Sequence, residues 1–408
     1  MKKFLPLILL ILLGFRLWLA TQAKHGDMYN NLDWGRGAVT FGLRDFYELP
    51  KEAWPHSRPN QPPGSILLHA GSVIVFDTID SAIKQLNRQI PLFPSQLVWW
   101  WETSGPLVAI KLPSILSDLA IFSALSRFGN AGLVAGLVFL LNPAMWYESS
   151  YWGQTDSVVA ALSLWSLVFL SRGKIAHSAT LLGLSLITKV SWAPILPFWL
   201  IYIYKNHRPH LHQIIWVAIL PLLISILFHP QLDLPIWLTQ LFVGRILPGE
   251  SSFITVNAFN FWHLFFASDR VPGRPLVTGI SLAILTLLFF ICARSLWRKP
   301  WFDNLMYTLA IFFFGYFLFS TRIHERYLYP TFPLISYFLA IKLSRRITLF
   351  YLLISTLFLI NIYSGWFAPK VGLLIKMYTP EFTKSISVAY LLAFAWAFEL
   401  KSIYAAKK

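Results

Sequence analysis

The chain has 408 residues, of which 56% are apolar and 13% are charged, and its net charge is +16. No hydrophilic block is long enough to fold separately, so the composition excludes a soluble multidomain protein and predicts one all-α, multi-pass membrane domain over 1–408. The basic residues lie in short clusters between apolar runs. This pattern favours contacts with anionic membrane lipids and argues against nucleic acid as a partner.

The chain begins with a basic stretch and an apolar run, "MKKFLPLILLILLGFRLWLATQA". A cleaved signal peptide and an uncleaved first helix both fit this start, and Arg16 with the bulky residues after it favours the helix. The only long polar segment, 21–105, is predicted to be an external loop. The predicted spans are 3–20, 106–126, 130–146, 156–171, 212–229, 275–293, 304–321, 327–343, 347–365 and 384–400.

The segment 177–204 is too long for one span and has two prolines in its middle. We therefore predict a hairpin of two short arms, with Lys189 at its tip. With this hairpin the Lys and Arg clusters fall on one side, which the positive-inside rule makes cytoplasmic. The carboxylates then fall outside, except Asp118, Asp303 and Glu399. The prediction is a plasma-membrane protein with about twelve crossings and both termini in the cytoplasm.

The first polar motif, "HGDMYNNLDWGRG", follows the first span directly. Asp27 or Asp33 at the membrane boundary is suited to act as a general base, because partial desolvation would raise the pKa of the carboxyl towards the working pH. The alternative is that both are ordinary solvated loop acids.

Two further motifs are less specific. In "RPNQPPGSILL", Pro62 and Pro63 predict an extended backbone before an apolar helix, with or without a functional contact. In "TVNAFNFWHLFF", Asn257 and Asn260 could stand at an external helix start in the site, or could cap an interfacial helix that has no further role.

The motif "NPAMWYESSYWGQTDS" lies between two predicted spans. Its aromatic residues, Trp152 among them, could form an interfacial belt only. However, Glu148, Gln154 and Asp156 add directional hydrogen-bonding groups beside aromatic faces, a combination suited to binding sugars.

The stretch "STRIHERYLYP" concentrates charge between two apolar runs. If a helix begins near 321, Arg322 and Arg326 share one face and Glu325 pairs with Arg322. Such a pair could merely anchor the helix end, but that role leaves His324 and the second arginine unexplained. Three cation-capable groups at the membrane surface predict a site for a phosphate whose apolar tail stays in the lipid. Lys189 could add a further positive charge.

In this order, "GD" after the first helix, "QPPG", "WGQTDS", "NAFNFW" and "HERYLYP" resemble motifs of the integral-membrane GT-C glycosyltransferases that use polyprenyl-phosphate sugars. The nearest resemblance is to bacterial relatives of GPI mannosyltransferase II. It covers most of the chain, and it implies a long first external loop with helices lying on the membrane and incompletely spanning helix pairs.

The resemblance implies that Asp27 is the base, that His324 and Arg326 hold the donor phosphate, and that Gln154 and Asp156 lie near the sugars. The implied reaction transfers a hexose to a hydroxyl of a glycan, lipid or protein on the external face, with inversion and without metal or cofactor. Several members carry two adjacent acids where this chain has "GDM", so whether Asp33 substitutes for the second acid is open.

A transporter or flippase for a lipid-linked or anionic solute is the alternative function. Such proteins usually bury charges at mid-membrane and show paired repeats. Here the polar motifs map to one face and no repeat is evident. The histidines of "HRPHLH" have no carboxylate or thiol beside them, so no metal site is predicted.

Overall fold

The computed structural model describes residues 2–247, 253–266 and 272–399, and most of them are helical. The basic C-terminal residues Lys401, Lys407 and Lys408, which the charge pattern places in the cytoplasm, lie outside these ranges. The helices are α1 (Leu5–Gln22), α2 (Gly26–Phe41), α3 (Pro63–Gln89), α4 (Ser95–Leu125), α5 (Gly132–Leu141), α6 (Pro143–Trp146), α7 (Asp156–Ser171), α8 (Ile175–Thr188), α9 (Ile195–Asn206), α10 (Trp216–Ile226), α11 (Leu234–Leu241), α12 (Pro275–Arg298), α13 (Phe302–Phe319), α14 (Thr331–Ile341), α15 (Arg345–Ser364), α16 (Gly372–Met377) and α17 (Pro380–Glu399).

Seven helices in the described ranges are long and apolar enough to cross a membrane. They are α1, α3, α4, α12, α13, α15 and the segment Arg208–Ile226, which includes α10. The all-α, multi-pass class is thereby confirmed by length and composition, while the count of about twelve crossings stays a prediction.

The segment 21–105, predicted as an external loop with interfacial helices, contains α2, α3 and the start of α4. Helix α3 has 27 residues, and its length and hydropathy are those of a possible span. Helix α2 packs closely on it: a Cβ added at Gly35 would come within 2.7 Å of the carbonyl oxygen of His69. The external position of this segment stays a prediction.

The break predicted within 177–204 is confirmed. Helix α8 ends at Thr188, a short 3-10 turn covers Val190–Trp192, and α9 begins at Ile195. Trp199 of α9 donates a hydrogen bond of 2.9 Å to the hydroxyl of Ser178 in α8, so the two arms lie side by side. With 14 and 12 residues, both helices are shorter than the roughly 20 residues that a full crossing needs.

A buried ion pair fixes α1 against α4. The guanidinium of Arg16 lies 2.5 Å from the carboxylate of Asp118, and both side chains are inaccessible to solvent. The Asp118 carboxylate also accepts hydrogen bonds from Ser149 at 2.5 Å and from Tyr329 at 3.2 Å. Asp118 is one of the exceptions to the external carboxylates of the charge pattern. The structure buries it between helices, where these bonds replace the water that a charge loses on burial.

The stretch 320–330 is not the continuous helix predicted from 321. Residues Ile323–His324 form a short strand, β2, that pairs in parallel with β1 at Thr255–Val256. A 3-10 turn follows at Glu325–Leu328. The backbone N–H of Arg322 donates to the carbonyl of Ile254 at 2.8 Å, so a distant loop takes the hydrogen bonds that a helix would use.

Candidate functional site

Asp27 lies in the first turn of α2, immediately after α1 ends. Its backbone N–H donates to Nδ1 of His25, which caps the helix at 3.1 Å. Its carboxylate oxygen Oδ2 accepts a hydrogen bond of 2.6 Å from the amide of Gln154. The side chain is 40% exposed, so a substrate hydroxyl can reach it.

The pKa of the Asp27 carboxyl is shifted in the direction opposite to our prediction. Burial alone raises this pKa, as the sequence suggests. Hydrogen bonds with His25 and Gln154 and the positive charge of Arg326 outweigh burial and lower the pKa well below its usual range. Asp27 is therefore ionised at neutral pH, and it lies within electrostatic range of Arg326.

The motif "WGQTDS" is positioned by an irregular turn. Residues Tyr147–Trp152 form a π-helical turn that ends at Gly153, whose φ is +94°. A Cβ at Gly153 would overlap the sulfur of Met28 and come within 2.7 Å of Cγ of Lys111. Only glycine fits this turn, which directs Gln154 towards Asp27 and starts α7 at Asp156.

Lys189, at the tip of the hairpin, donates a hydrogen bond of 2.7 Å to the carboxylate of Asp156. The start of α3 holds this tip in place. Ser65 donates to the carbonyl of Thr188 at 2.6 Å, and a Cβ at Gly64 would approach the carbonyl oxygen of Ile187 to 2.7 Å. The helix start predicted at "QPPG" is confirmed, and its contact with the hairpin positions Lys189.

Arg326 lies opposite Lys189 across Asp156. Its Nη1 donates to Glu325 at 2.9 Å, and its Nε lies 4.0 Å from Oδ2 of Asp156. The guanidinium carbon is 5.8 Å from the ring centroid of Trp152. Burial alone lowers the pKa of Arg326, but the neighbouring Glu325 raises it above the usual value. Arg326 is thus a permanent cation whose Nε has no hydrogen-bond partner among the described residues.

His324 reaches the site but does not add a positive charge. Burial, with the positive charges of Arg326 and Lys189, lowers the pKa of His324 to about 3. The imidazole is therefore neutral at neutral pH. The prediction of three cations is corrected: the site has two cations, Arg326 and Lys189, and a neutral imidazole. Asn257, with φ at +56°, forms a backbone bridge with His324. Its contact with a sugar or acceptor stays a prediction.

Arg322 is separated from this group. Its side chain is exposed and its φ is +58°. Glu325 forms its ion pair with Arg326, and no ion pair of Arg322 is present in the described part of the chain. The predicted Arg322–Glu325 pair and the shared helical face are both wrong, because the β1–β2 pairing replaces the helix at these positions.

Two other predicted acids lie away from the Asp27 carboxylate. Asp33 accepts a hydrogen bond of 2.5 Å from His56, and six residues along a helix place it on a different face from Asp27. Glu148 is fully buried in the π-helical turn, and burial and the charge of Asp156 raise the pKa of its carboxyl well above the usual range. No described residue forms a hydrogen bond with either of its carboxylate oxygens. Its contact with a sugar stays a prediction.

Sequence reasoning missed two aromatic neighbours of Asp27. The imidazole of His25 lies 5.1 Å from the ring of Trp152 and 4.8 Å from that of Trp366, centroid to centroid. Trp366 also lies 5.7 Å from Tyr151. His25 directly precedes the "GD" motif, so its position in the sequence could have indicated that it belongs to the site. The sequence "GWFAPK" around Trp366 gives no such indication.

An apolar groove of about 740 Å³ opens beside the site, between α1, the turn at 146–151 and the C-terminal helices. Tyr151 belongs both to the groove wall and to the aromatic residues around His25. Other residues of the wall are Trp18, Trp146, Tyr147, Tyr363 and Tyr378. The groove is large enough and apolar enough for a lipid tail.

No group of three or more His, Cys, Asp or Glu side chains suited to hold a metal ion occurs in the described residues. Comparison of the chain with models of known protein families finds no matching family. No characterised protein matches it either.

Proposed function

We propose that the chain is a membrane glycosyltransferase that transfers a hexose, mannose or glucose-like, from a polyprenyl-phosphate donor to an acceptor hydroxyl. We place the reaction on the external face of the plasma membrane, with both termini in the cytoplasm. The observation that carries the proposal is an ionised carboxylate, Asp27, within electrostatic range of the partly buried cation Arg326. A base and a phosphate-binding cation side by side are what an in-line displacement at a sugar carbon requires.

The hydrogen bonds of Asp27 support its assignment as the base. Gln154 occupies Oδ2, and no hydrogen bond to Oδ1 occurs within the described residues. An acceptor hydroxyl bound at Oδ1 gives its proton to the carboxylate while its oxygen bonds to the anomeric carbon. The electron pair of the bond from that carbon to the phosphate oxygen leaves with the phosphate. Attack opposite the leaving group inverts the configuration.

The leaving phosphate gains negative charge in this step, and Arg326 and Lys189 are the cations available to it. At present each faces a carboxylate, Glu325 for Arg326 and Asp156 for both. These carboxylates hold the cations in position, and Nη2 of Arg326, which makes no hydrogen bond to a described residue, leaves a donor for the phosphate.

The same electrostatics links donor binding to base strength. Arg326 lowers the pKa of Asp27 in the empty site, which makes Asp27 a weak base. A phosphate bound to Arg326 neutralises that charge and so raises the affinity of Asp27 for a proton. Asp27 therefore becomes an effective base only after the donor is bound.

The groove beside Tyr151 supports a lipid-linked donor over a nucleotide sugar. Its aromatic wall fits an isoprenoid chain, and the chain lacks the G-x-x-x-x-G-K-[ST] and G-x-G-x-x-G sequences of nucleotide cradles. A polyprenyl phosphate leaves with less negative charge than a nucleoside diphosphate, so side-chain cations suffice to neutralise it. We therefore propose that the reaction needs no metal ion or cofactor.

The buried Arg16–Asp118 pair is the feature that a transporter would need. Intramembrane charges often mark the path of a solute. Here both charges are enclosed by Ser149, Tyr329 and the carbonyl of Leu140, and both are inaccessible to solvent. The pair anchors the π-helical turn of the site, which favours the enzyme.

The test is transfer of a radiolabelled hexose from polyprenyl-phosphate mannose or glucose by the purified protein in EDTA. We expect turnover in the wild type and a loss of about 100-fold or more in Asp27→Asn and Arg326→Ala. Asp45→Asn and Arg44→Ala, at exposed positions, are the matched controls. Unchanged turnover in both site variants would rule out the assigned roles, and hexose uptake by proteoliposomes without transfer would identify a transporter.

A further inference from the structure

His25 contacts Asp27 in two ways. Its Nδ1 accepts the backbone N–H of Asp27 at 3.1 Å and lies 3.3 Å from the carboxylate oxygen Oδ2. Capping explains the first contact only. Asn, Asp, Ser and Thr are the preferred residues at this position, and histidine is not among them. The choice of a titratable ring here therefore points to a role beyond the cap.

The surroundings of His25 suit a ring that becomes positively charged for a short time. Trp152 and Trp366 lie 5.1 and 4.8 Å from the imidazole, centroid to centroid, and the side chain is 20% exposed. The exposed part of the ring gives a proton access to water.

Asp27 by itself holds a proton poorly, because Arg326 and Gln154 both favour its ionised form. We propose that His25 receives the acceptor proton from Asp27 and releases it to solvent, so that the pair works as a proton relay. This inference rests on the proposed glycosyl transfer. His25 does not touch the substrate in this scheme, so it is a positioning and relay residue that acts through Asp27.

The steps of the relay balance. The acceptor O–H bond breaks and its proton passes to Asp27, while the acceptor oxygen bonds to the anomeric carbon and the phosphate leaves with the electron pair of the broken C–O bond. The carboxyl group then turns so that the proton taken up at Oδ1 faces His25 and passes to Nδ1. Nδ1 gives up the hydrogen bond from the backbone N–H of Asp27, and the ring becomes an imidazolium beside a carboxylate. Loss of one proton to water restores the neutral ring. The net products are glycosylated acceptor, polyprenyl phosphate and one proton.

Other charged groups surround the pair. Lys24 precedes His25, and Lys111 of α4 donates to the carbonyl of Ala23 at 2.7 Å. Arg326 and His324 approach Asp27 from the segment after β2. All of them are unchanged in a His25 variant, but Asp27 loses the hydrogen bond with His25 that lowers its pKa. The pH profile is therefore read together with the rescue by imidazole.

The experiment compares the intact wild type with His25→Asn, His25→Ala and Asp27→Asn in the hexose-transfer assay from pH 5 to pH 8. Asparagine preserves the helix cap and cannot relay a proton. We expect the wild-type rate to decline towards acid pH, and we expect His25→Asn to turn over about 100-fold more slowly and to lose this decline. Added imidazole should restore part of the turnover of His25→Ala and none of that of Asp27→Asn. Thermal midpoints establish that each variant is folded.

The outcomes separate the relay from the reaction. Active wild type, inactive Asp27→Asn and a His25→Asn that matches the wild type in rate and pH profile would overturn the relay and leave the proposed function standing. A folded His25→Ala that imidazole does not rescue would overturn it equally. A wild type that transfers no hexose from any polyprenyl-phosphate donor would overturn the proposed function and this inference together.

Discussion

Arg326 provides the sharpest test of the site, because its role in binding phosphate and its role in the fold can be measured separately. Its hydrogen bonds to described residues use only Nη1, which donates to Glu325, so Nη2 remains for a phosphate. Nε is buried 4.0 Å from Asp156 and has no hydrogen-bond partner among these residues. Arg326→Lys keeps the charge and loses the planar pair of donors. Arg326→Met loses both.

The expected magnitudes differ between the two substitutions. Loss of one charge-assisted hydrogen bond costs about 1.5–3 kcal/mol, so Arg326→Lys should lower kcat/KM roughly 10- to 100-fold. Arg326→Met removes the charge as well, and the loss should reach about 100- to 1000-fold. Arg326→Met also leaves the buried Glu325 unpaired, at a cost of about 3 kcal/mol in stability.

The assay combines transfer kinetics with thermal midpoints in detergent. The double variant Glu325→Gln with Arg326→Met should recover most of the lost stability, because it removes the unpaired charge, but none of the activity. Arg322→Ala, four residues away and exposed, should lose less than about threefold. If the double variant recovers activity together with stability, Arg326 supports the fold only and the phosphate assignment is refuted.

Further predictions concern the supports of the site. Gly153→Ala should lower the thermal midpoint and reduce transfer at least about tenfold, because φ at +94° is strained for alanine and the turn holds Gln154; Gly279→Ala, where a Cβ meets open space, should do neither. Asp118→Asn should destabilise the protein by about 3 kcal/mol by leaving Arg16 unpaired, and a double variant with Arg16→Met that is no more stable than the single variant would contradict this. The lowered pKa of His324 means that the unfolded chain binds a proton more readily, so stability falls as pH drops from about 6.5 towards 3. His324→Gln should flatten this decline in the thermal midpoint, and an unchanged slope would show that the ring is not buried in its neutral form.

The helix break within 177–204 shows what can be predicted from the local sequence. Prolines and a lysine inside an apolar run disfavour a continuous helix wherever the run is packed, so the break could be predicted without knowing its neighbours. The start of α3 at Pro63 is a second case of this kind. What the pattern could not reveal is that Gly64 and Ser65 touch the tip of the hairpin, because that contact joins residues more than a hundred positions apart.

The segment before α14, by contrast, could not be predicted from its local pattern. By local spacing Arg322 and Arg326 fit one helical face, and nothing in their vicinity indicates a strand. Pairing of Ile323 with Thr255 removes the helix and leaves Arg322 in solvent. A backbone segment with hydrogen bonds available from a distant loop can adopt either conformation, so tertiary contacts decide between them.

The sequence by itself determined the all-α membrane class, the helix break at Lys189 and the identity of the polar residues, because hydrophobicity, proline and charge act through neighbouring positions. Only the tertiary structure decided which of these residues meet and in what state of charge. A pKa depends on the groups within a few ångströms in space. For that reason the contact of Asp27 with His25 and the nearby charge of Arg326, and not the motif around Asp27, lower the pKa of its carboxyl. Burial, with the charges of Arg326 and Lys189, keeps the imidazole of His324 neutral.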